Sequence, residues 1–223
     1  MNLEIDSIYF EYKGTPILSG TYLKIVKGEI IGILGRNGSG KSTLFKIIFG
    51  ALKPTFGNIK IDGLATKHGY KNQHVQLLPQ EGFLPDYMSL SYAMKLFSQQ
   101  VSDFSDIEDH LEIRGKLKVG HLSLGQRKIF ECALLMNTPS PFLLLDEPFD
   151  GVAPIHIEGL TQLIKNKSVN KGILITDHKY EEVMEVSDRL LVIQSGQTRP
   201  IEKTPEALEL AGYLGSLSSE FSG

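Results

Sequence analysis

The sequence predicts an α/β protein with a mostly parallel β-sheet, an N-terminal antiparallel β subdomain and an inserted helical subdomain. Four short, continuously apolar runs are separated by helix-length segments, as is typical of parallel strands covered on both faces; these runs are residues 29–34, 142–145, 172–176 and 190–193. Residues 2–12 and 21–27 alternate apolar and polar side chains, which predicts two strands of a partly exposed sheet with a turn at Lys13 and Gly14. A further strand pair is predicted at residues 57–61 and 75–78.

Helical segments are predicted between and after these strands. Residues 85–136 have helical spacing and few β-branched side chains, so we expect an inserted helical subdomain there. Thr204 and Pro205 fit the N-cap and first residue of a helix that is expected to reach Tyr213. We therefore expect one domain in three parts: residues 1–84 hold the β subdomain and the first part of the core, 85–136 the helical subdomain, and 137–223 the rest of the core.

Composition excludes several classes of protein. The 41% hydrophobic content of 223 residues is enough for a sizeable core, and the net charge of -3 gives no basic footprint for nucleic acid. The single cysteine, Cys132, excludes an internal disulfide and suits a reducing compartment. The longest uncharged stretch, residues 132–145, contains two prolines and is too short to cross a membrane, and the first residues lack the basic region of a secretory signal. We expect a cytoplasmic protein that meets a membrane only through another chain.

A glycine-rich motif follows the first apolar run. Residues 35–42 fit the pattern G-x-x-x-x-G-K-[ST], and a helix is predicted directly after them, from Thr43 to Phe49. The glycines let the backbone wrap around a polyphosphate, Lys41 is expected to reach the β and γ phosphates, and Ser42 to bind magnesium. The alternative is a glycine-rich turn with an accidental Lys-Ser pair, and the strand-loop-helix context argues against it. The motif predicts a P-loop NTPase core whose nucleotide-binding residues are Gly35, Arg36, Asn37, Gly38, Ser39, Gly40, Lys41, Ser42 and Thr43.

Two adjacent acids follow the second apolar run. Asp146 and Glu147 stand at the carboxyl end of a strand that we expect to be central, where open α/β sheets bind their ligands. Asp146 is expected to hold the magnesium ion, and Glu147 to act as general base toward the attacking water. A strand that runs out into solvent also often ends in acids, but a P-loop in the same chain favours the nucleotide site.

Between these two motifs, residues 122–126 read Leu-Ser-Leu-Gly-Gln. Ser123 and Gln126 also fit a simple capping box. The segment resembles the L-S-G-G-Q signature of the ATP-binding-cassette (ABC) ATPases, which precedes the second acidic motif by some twenty residues; here Gly125 lies 21 residues before Asp146. The resemblance covers nearly the whole chain, and it implies binding and hydrolysis of ATP with Mg²⁺.

Other family landmarks occur in the same order. The resemblance implies that Tyr12 stacks on adenine, that Gln80 contacts the magnesium and senses the transporter, and that His178 contacts the γ-phosphate. Each has a simpler alternative, because Tyr12 is one of eight tyrosines, Gln80 fits a surface turn and His178 is one of six histidines. Together with Glu147 and Lys41, Gln80 and His178 complete the expected catalytic set.

The resemblance also implies partners. Members of the family pair head to tail, so we expect a homodimer or a heterodimer with another ABC ATPase, in which Ser123, Gly125 and Gln126 of one chain face the nucleotide of the other. Integral membrane transporter subunits are the further partners expected at the cytoplasmic face of the membrane, and no nucleic acid is expected. A soluble ABC ATPase and a nucleotide-dependent regulator with weak turnover remain alternatives.

Three features depart from the family pattern. Leu124 replaces a common glycine of the signature, Ala153 replaces the aspartate that normally links the two sites of the dimer, and the helical insertion is short. Residues 146–149 and 212–215 resemble subunits that serve lipopolysaccharide export and branched-chain amino-acid uptake. The substrate, the direction of transport and the membrane subunits stay open.

Overall fold

A computed structural model describes residues 1–97 and 117–213; part of the predicted helical insertion (98–116) and the end of segment 212–215 lie outside the described residues. The strands of the described ranges are β1 (Asn2–Tyr12), β2 (Thr15–Val26), β3 (Ile30–Leu34), β4 (Phe56–Ile61), β5 (Leu64–Thr66), β6 (Val75–Leu78), β7 (Phe142–Asp146), β8 (Gly172–Thr176), β9 (Arg189–Gln194) and β10 (Gln197–Ile201). The helices there are α1 (Lys41–Phe49), α2 (Leu90–Phe97), α3 (Leu124–Met136), α4 (Pro154–Ser168), α5 (Tyr180–Val186) and α6 (Pro205–Leu210), with single 3-10 turns at Lys71–Gln73 and Val119–His121.

The larger sheet is mostly parallel, as the sequence predicts. Its strand order is β10-β9-β3-β8-β7-β6, and only β10 runs antiparallel to its neighbour. Alternate residues of β3 point to opposite cores: Ile31 and Ile33 pack with α1, whereas Ile30 and Leu34 pack with α3, α4 and α5. Because both faces are covered, the strands β3, β7, β8 and β9 contain continuous apolar runs, and the predicted fold class is confirmed.

The N-terminal sheet is antiparallel, with the order β2-β1-β4-β5. Lys13 (φ 50°) and Gly14 (φ 80°) form the predicted hairpin turn, both in the left-handed conformation that a two-residue turn of this kind requires. Strand β2 begins at Thr15, six residues before the predicted start at residue 21, because it pairs with β1 directly from the turn. This sheet covers α1 and the same face of the parallel sheet.

The predicted strand pair at 57–61 and 75–78 is wrong as a pair, although both strands exist. Strand β4 joins β1 and β5 in the antiparallel sheet, whereas β6 pairs in parallel with β7. A strand of four residues is too short to show which sheet it joins, and its partner lies more than sixty residues away in sequence. Strands β5 and β10 were not predicted, since most of their residues are exposed and their apolar patterns are weak.

Helix boundaries follow local backbone chemistry. Helix α1 lies between Gly40 and Gly50, both in the left-handed conformation. Thr204 caps α6 as predicted, because its Oγ1 accepts from Ala207 N–H at 3.2 Å. The helix ends at Leu210 rather than at Tyr213, since the chain turns at Gly212 with φ of 69°. Within the ranges described, no helix combines the length and the apolar character that a membrane crossing requires.

Candidate nucleotide-binding site

A cleft of about 670 Å³ opens around the P-loop and the carboxyl ends of β7 and β8. It contains most of the predicted P-loop residues together with the predicted catalytic residues Gln80, Glu147 and His178. Its lining consists of Ile17, Asn37, Gly38, Ser39, Gly40, Lys41, Ser42, Thr43, Gln80, Glu147, Asp150 and His178. Ile17, which comes from β2 of the other sheet, was not predicted from the sequence, and no role in the cleft was predicted for Asp150.

At two positions the P-loop adopts the left-handed backbone conformation that favours glycine. Gly38 and Gly40 have φ of 78° and 103°, and Gly40 directly precedes α1. A side chain at Gly35 would place its Cβ 2.4 Å from Ile193 Cγ2. The loop thus ends at the N-terminus of α1, where the helix dipole favours a bound anion.

Lys41 is almost buried, with 9% of its surface exposed. Its Nζ donates to the carbonyl oxygen of Gly35 at 2.7 Å and lies 3.4 Å from that of Arg36. Burial lowers the pKa of this ammonium, and the nearby carboxylates of Glu147 and Asp146 oppose that shift. Because its hydrogen-bond acceptors are neutral carbonyls, the positive charge remains available to a polyphosphate in the cleft.

Asp146 ends β7 and is only 4% exposed. Burial raises the pKa of its carboxyl group, while a hydrogen bond with the Ser42 side chain and the charges of Lys128 and Lys41 oppose the rise. Its Oδ1 has no hydrogen-bond partner among the described residues. A buried carboxylate oxygen without a donor fits a bound cation, and Ser42 supplies a second oxygen beside it.

The donor set suits Mg²⁺ only if a phosphate shares the ion. The described part of the chain contains no group of three His, Cys, Asp or Glu residues that could hold a metal. Magnesium commonly uses one or two carboxylates together with substrate phosphates and water. Asp146, Ser42 and Gln80 therefore fit an ion that arrives with a nucleotide.

Glu147 has an unusual backbone conformation for a residue other than glycine. Its φ is 54°, and its N–H donates to the carbonyl oxygen of Thr176 on β8 at 2.7 Å. Gln80 Nε2 donates to its Oε2 at 2.6 Å, and His178 Nδ1 lies 4.0 Å from the same oxygen. A left-handed residue costs roughly 1–3 kcal/mol and is concentrated at functional sites. The strain is consistent with a carboxylate placed for chemistry in the cleft.

Asp177 is a site residue that was not predicted from the sequence. It is fully buried at the end of β8, where its Oδ2 accepts from Phe149 N–H at 2.8 Å and its Oδ1 lies 3.3 Å from His178 Nδ1. Burial raises the pKa of its carboxyl group, and hydrogen bonds from the Lys179 and Phe149 backbone amides oppose the rise. The available signal was an acid directly after a buried strand, the same pattern that identified Asp146.

The signature residues do not line this cleft. Ser123 caps α3: its Oγ accepts from Gln126 N–H at 3.2 Å, and Gln126 Oε1 accepts from Ser123 N–H at 2.9 Å. The capping box is therefore present, and the Ser123 hydroxyl still has its own proton to donate. Gly125 packs against the loop after β7, since a Cβ there would lie 2.4 Å from the Gly151 carbonyl oxygen. Tyr12, Gly35 and Arg36 also lie outside the lining, and 61% of Tyr12 is exposed.

Fold and cleft together define a P-loop nucleotide-binding protein. The family model described as ABC transporter matches residues 18–150. The lipopolysaccharide export system ATP-binding protein LptB of Escherichia coli is 32% identical over 201 residues, which cover 83% of each chain. The chain belongs to the ABC transporter ATP-binding family, and it is an ATPase of that family.

Two further similarities are more limited, one in the share of the relative that is matched and the other in sequence identity. The galactose/methyl galactoside import ATP-binding protein MglA of Fusobacterium nucleatum is 27% identical over 215 residues; the match covers 87% of this chain but only 43% of MglA. A solved dimeric ATP-binding cassette, in a post-hydrolysis state with ADP and Pi, superposes with a TM-score of 0.77 at 20% identity. That match covers 91% of this chain and 99% of the cassette, and it shows the shared fold.

Proposed function

We propose that this chain is the ATP-binding subunit of a membrane transporter, which binds and hydrolyses Mg-ATP at the head-to-tail interface of a dimer. The observation that carries the proposal is the convergence of three features in one cleft. These are the Lys41 ammonium inside a P-loop, the buried Asp146 carboxylate with an unpartnered oxygen, and the strained Glu147 carboxylate.

The phosphates of ATP would lie along the P-loop. Residues 37–43 line the cleft, and the N-terminus of α1, which begins at Lys41, favours an anion there. Lys41 would exchange its carbonyl contacts for oxygens of the β and γ phosphates. Tyr12, at the end of β1, is the residue that we assign to adenine, and Gly35 and Arg36 complete the loop behind the phosphates.

The magnesium ligands in this proposal are Ser42, Asp146 and Gln80. When bound, the ion would neutralise phosphate charge and orient the terminal phosphate. Glu147 would accept a proton from the attacking water, since its carboxylate lies in the cleft beside Gln80. His178, held by Asp177, would stabilise the negative charge that develops on the γ-phosphate.

The dimer completes the site. Ser123, Gly125 and Gln126 lie at the N-terminus of α3 but outside the cleft of their own chain. Ser123 is exposed, so the dipole of α3 and the serine hydroxyl are free to meet the γ-phosphate of a second chain. The dimeric cassette with ADP and Pi supports this arrangement by its fold. Either a second copy or another ABC ATPase would serve as the partner chain.

Transport is the role that the relatives support. LptB is named for export and MglA for import, so the direction of transport is left out of the proposal. Integral membrane subunits would bind the part of the chain between residues 85 and 136, with residues 1–84 and 137–223 forming the ATPase core. The chain would then lie at the cytoplasmic face of the membrane, and closure and opening of the dimer would drive the membrane subunits.

The variant Glu147→Gln tests the proposal, because it keeps the shape of the side chain and removes the base. We expect it to bind Mg-ATP, to release phosphate about 100- to 10,000-fold more slowly than the natural chain, and to accumulate as a dimer in size-exclusion chromatography. The matched control is Glu81→Gln, an exposed neighbour of Gln80 that does not line the cleft.

Three results would contradict the proposal. Normal phosphate release by Glu147→Gln would remove Glu147 from its role as base. Purification of the natural chain from its own cells with ribosomes or DNA, and without a membrane protein, would replace the transporter by a soluble ABC ATPase. A natural chain that binds ATP but shows no turnover with its membrane partner would be a nucleotide-dependent regulator.

A further inference from the structure

Lys128 is a buried cation beside the site and has no role in the mechanism above. It lies on α3, and only 2% of its surface is exposed. Its Nζ donates to the carbonyl oxygen of Pro79 at 3.2 Å and also to that of Gln80. Both acceptors belong to the segment that follows β6 and carries Gln80 into the cleft.

Within the ranges that the structure describes, Lys128 makes no ion pair. Glu131 lies three residues further along α3, but its carboxylate accepts from the amides of Phe83 and Leu84 and from Arg127. Burial lowers the pKa of the Lys128 ammonium, although the carboxylates of Glu131, Asp146, Asp150 and Glu147 are close enough to oppose that shift. A buried charge is costly, and an apolar side chain of similar volume is often more stabilising. Stability alone therefore does not explain a lysine at this position.

The contacts of Lys128 fix the backbone from which the Gln80 side chain extends. Pro79 O also accepts from Gly82 N–H at 3.0 Å, so the lysine fixes one end of a tight turn that contains Gln80. From this position Gln80 Nε2 reaches Glu147 Oε2 at 2.6 Å. A displacement of the turn by even 1 Å would break that contact.

We propose that Lys128 is a positioning residue for ATP hydrolysis, which holds the backbone of Pro79 and Gln80 so that the Gln80 amide reaches Glu147 and the metal site. The inference rests on the proposed function, in which Glu147 is the base and Gln80 a metal ligand. Ser123 and Gly125 lie at the start of the same helix. Helix α3 therefore connects the residues that would contact a second chain with Gln80 in the cleft of its own chain.

The first test needs no nucleotide. In Lys128→Met the stem of the side chain is retained and the ammonium is lost. We expect the Gly82 amide to exchange its hydrogen about tenfold faster or more, which corresponds to the loss of one charge-assisted hydrogen bond that braces the turn. Lys46→Met is the control, since Lys46 is an exposed lysine on another helix. Unchanged exchange at Gly82 in Lys128→Met would overturn the inference.

The second test is a double-mutant cycle in the ATPase assay. Gln80→Ala and Lys128→Met should each lower kcat roughly tenfold or more with ATP affinity unchanged, and the double variant should be no slower than Gln80→Ala alone. Multiplied losses, roughly a hundredfold in the double variant, would show that Lys128 acts independently of Gln80. Lys128→Gln, which keeps a donor, is measured in parallel and should recover part of the rate.

The two tests separate this inference from the proposed function. If the natural chain hydrolyses ATP and Gln80→Ala is impaired while Lys128→Met and Lys128→Gln are normal, only the role of Lys128 fails. If Gln80→Ala and Glu147→Gln both turn over at the natural rate, the proposed function fails as well.

Discussion

Ala153 occupies the N-cap of α4, a position where a side-chain acceptor normally stabilises a helix. Its backbone is extended (φ -66°, ψ 144°), no side-chain cap is present, and Pro154 follows as the first helical residue. Ala153 is exposed, so a larger side chain has room. An aspartate there would accept a hydrogen bond from the Ile155 amide, since Pro154 has no N–H and the His156 amide already donates to the Ala153 carbonyl oxygen at 2.9 Å.

The expected gain of Ala153→Asp can be worked out from this geometry. Replacing alanine by a capping residue at an N-cap is worth about 1 kcal/mol, and the negative charge at the helix N-terminus adds roughly 0.3–1 kcal/mol. For a domain of this size, each kcal/mol raises Tm by about 2–4 °C. We therefore expect Ala153→Asp to melt roughly 3–8 °C above the natural chain.

Thermal unfolding followed by circular dichroism measures this gain, with two companion variants. Ala153→Asn caps without a charge and should recover most of the stabilisation, whereas Ala153→Val cannot cap and should recover none. Family resemblance assigns an aspartate at this position to communication between the two sites. Of the three variants, only Ala153→Asp should therefore raise the Hill coefficient for ATP. An unchanged or lower Tm in both Asp and Asn variants would refute the N-cap assignment.

Three further outcomes are expected. Lys41→Ala should weaken ATP binding by about 10- to 150-fold in equilibrium dialysis, since a charge-assisted contact to phosphate is lost; retained affinity would discredit the P-loop assignment. Burial raises the pKa of Asp146 above 3.8, so the nucleotide-free protein should lose stability as pH rises from 3.8 through the raised pKa. Asp146→Asn should reduce this decrease of the free energy of unfolding with pH, measured by urea titrations at several pH values. It should also abolish the Mg²⁺ dependence of ATP binding. A pH dependence of the free energy of unfolding equal to that of the natural chain would show that Asp146 titrates normally. Gly82→Ala should cost about 1–3 kcal/mol in the same titrations, because Gly82 has φ of 78° and a Cβ would lie 2.6 Å from Glu131 Oε2; a smaller loss would mean that the turn adapts.

The sequence predicts the parts of the site that depend on local pattern. The P-loop is a contiguous motif whose strand, glycines and helix all lie within about twenty residues, so its position follows from spacing alone. Asp146 and Glu147 were found in the same way, from acids at the end of a buried run. His178 and Gln80 required the resemblance to a family, and the structure places both beside Glu147.

Contacts between distant segments could not be predicted in this way. Ile17 lines the cleft because the antiparallel sheet packs beside the P-loop, which no local pattern reveals. The left-handed backbone of Glu147 was equally hidden, since nothing in its neighbours distinguishes a strained residue from an ordinary one. Lys128 is a polar residue in a helix and would normally be assigned to the surface; only the fold shows that it is buried against Pro79 and Gln80.

A crystal structure of Glu147→Gln grown with ATP and Mg²⁺ would locate the nucleotide directly. We expect the γ-phosphate within hydrogen-bond distance of Lys41 Nζ, the metal between Ser42 Oγ and Asp146 Oδ1, and Ser123 of a second chain on the opposite side of the phosphate. A nucleotide bound elsewhere on the chain, or a cleft that excludes it under saturating ATP, would contradict the assignment of this cleft as the site of hydrolysis.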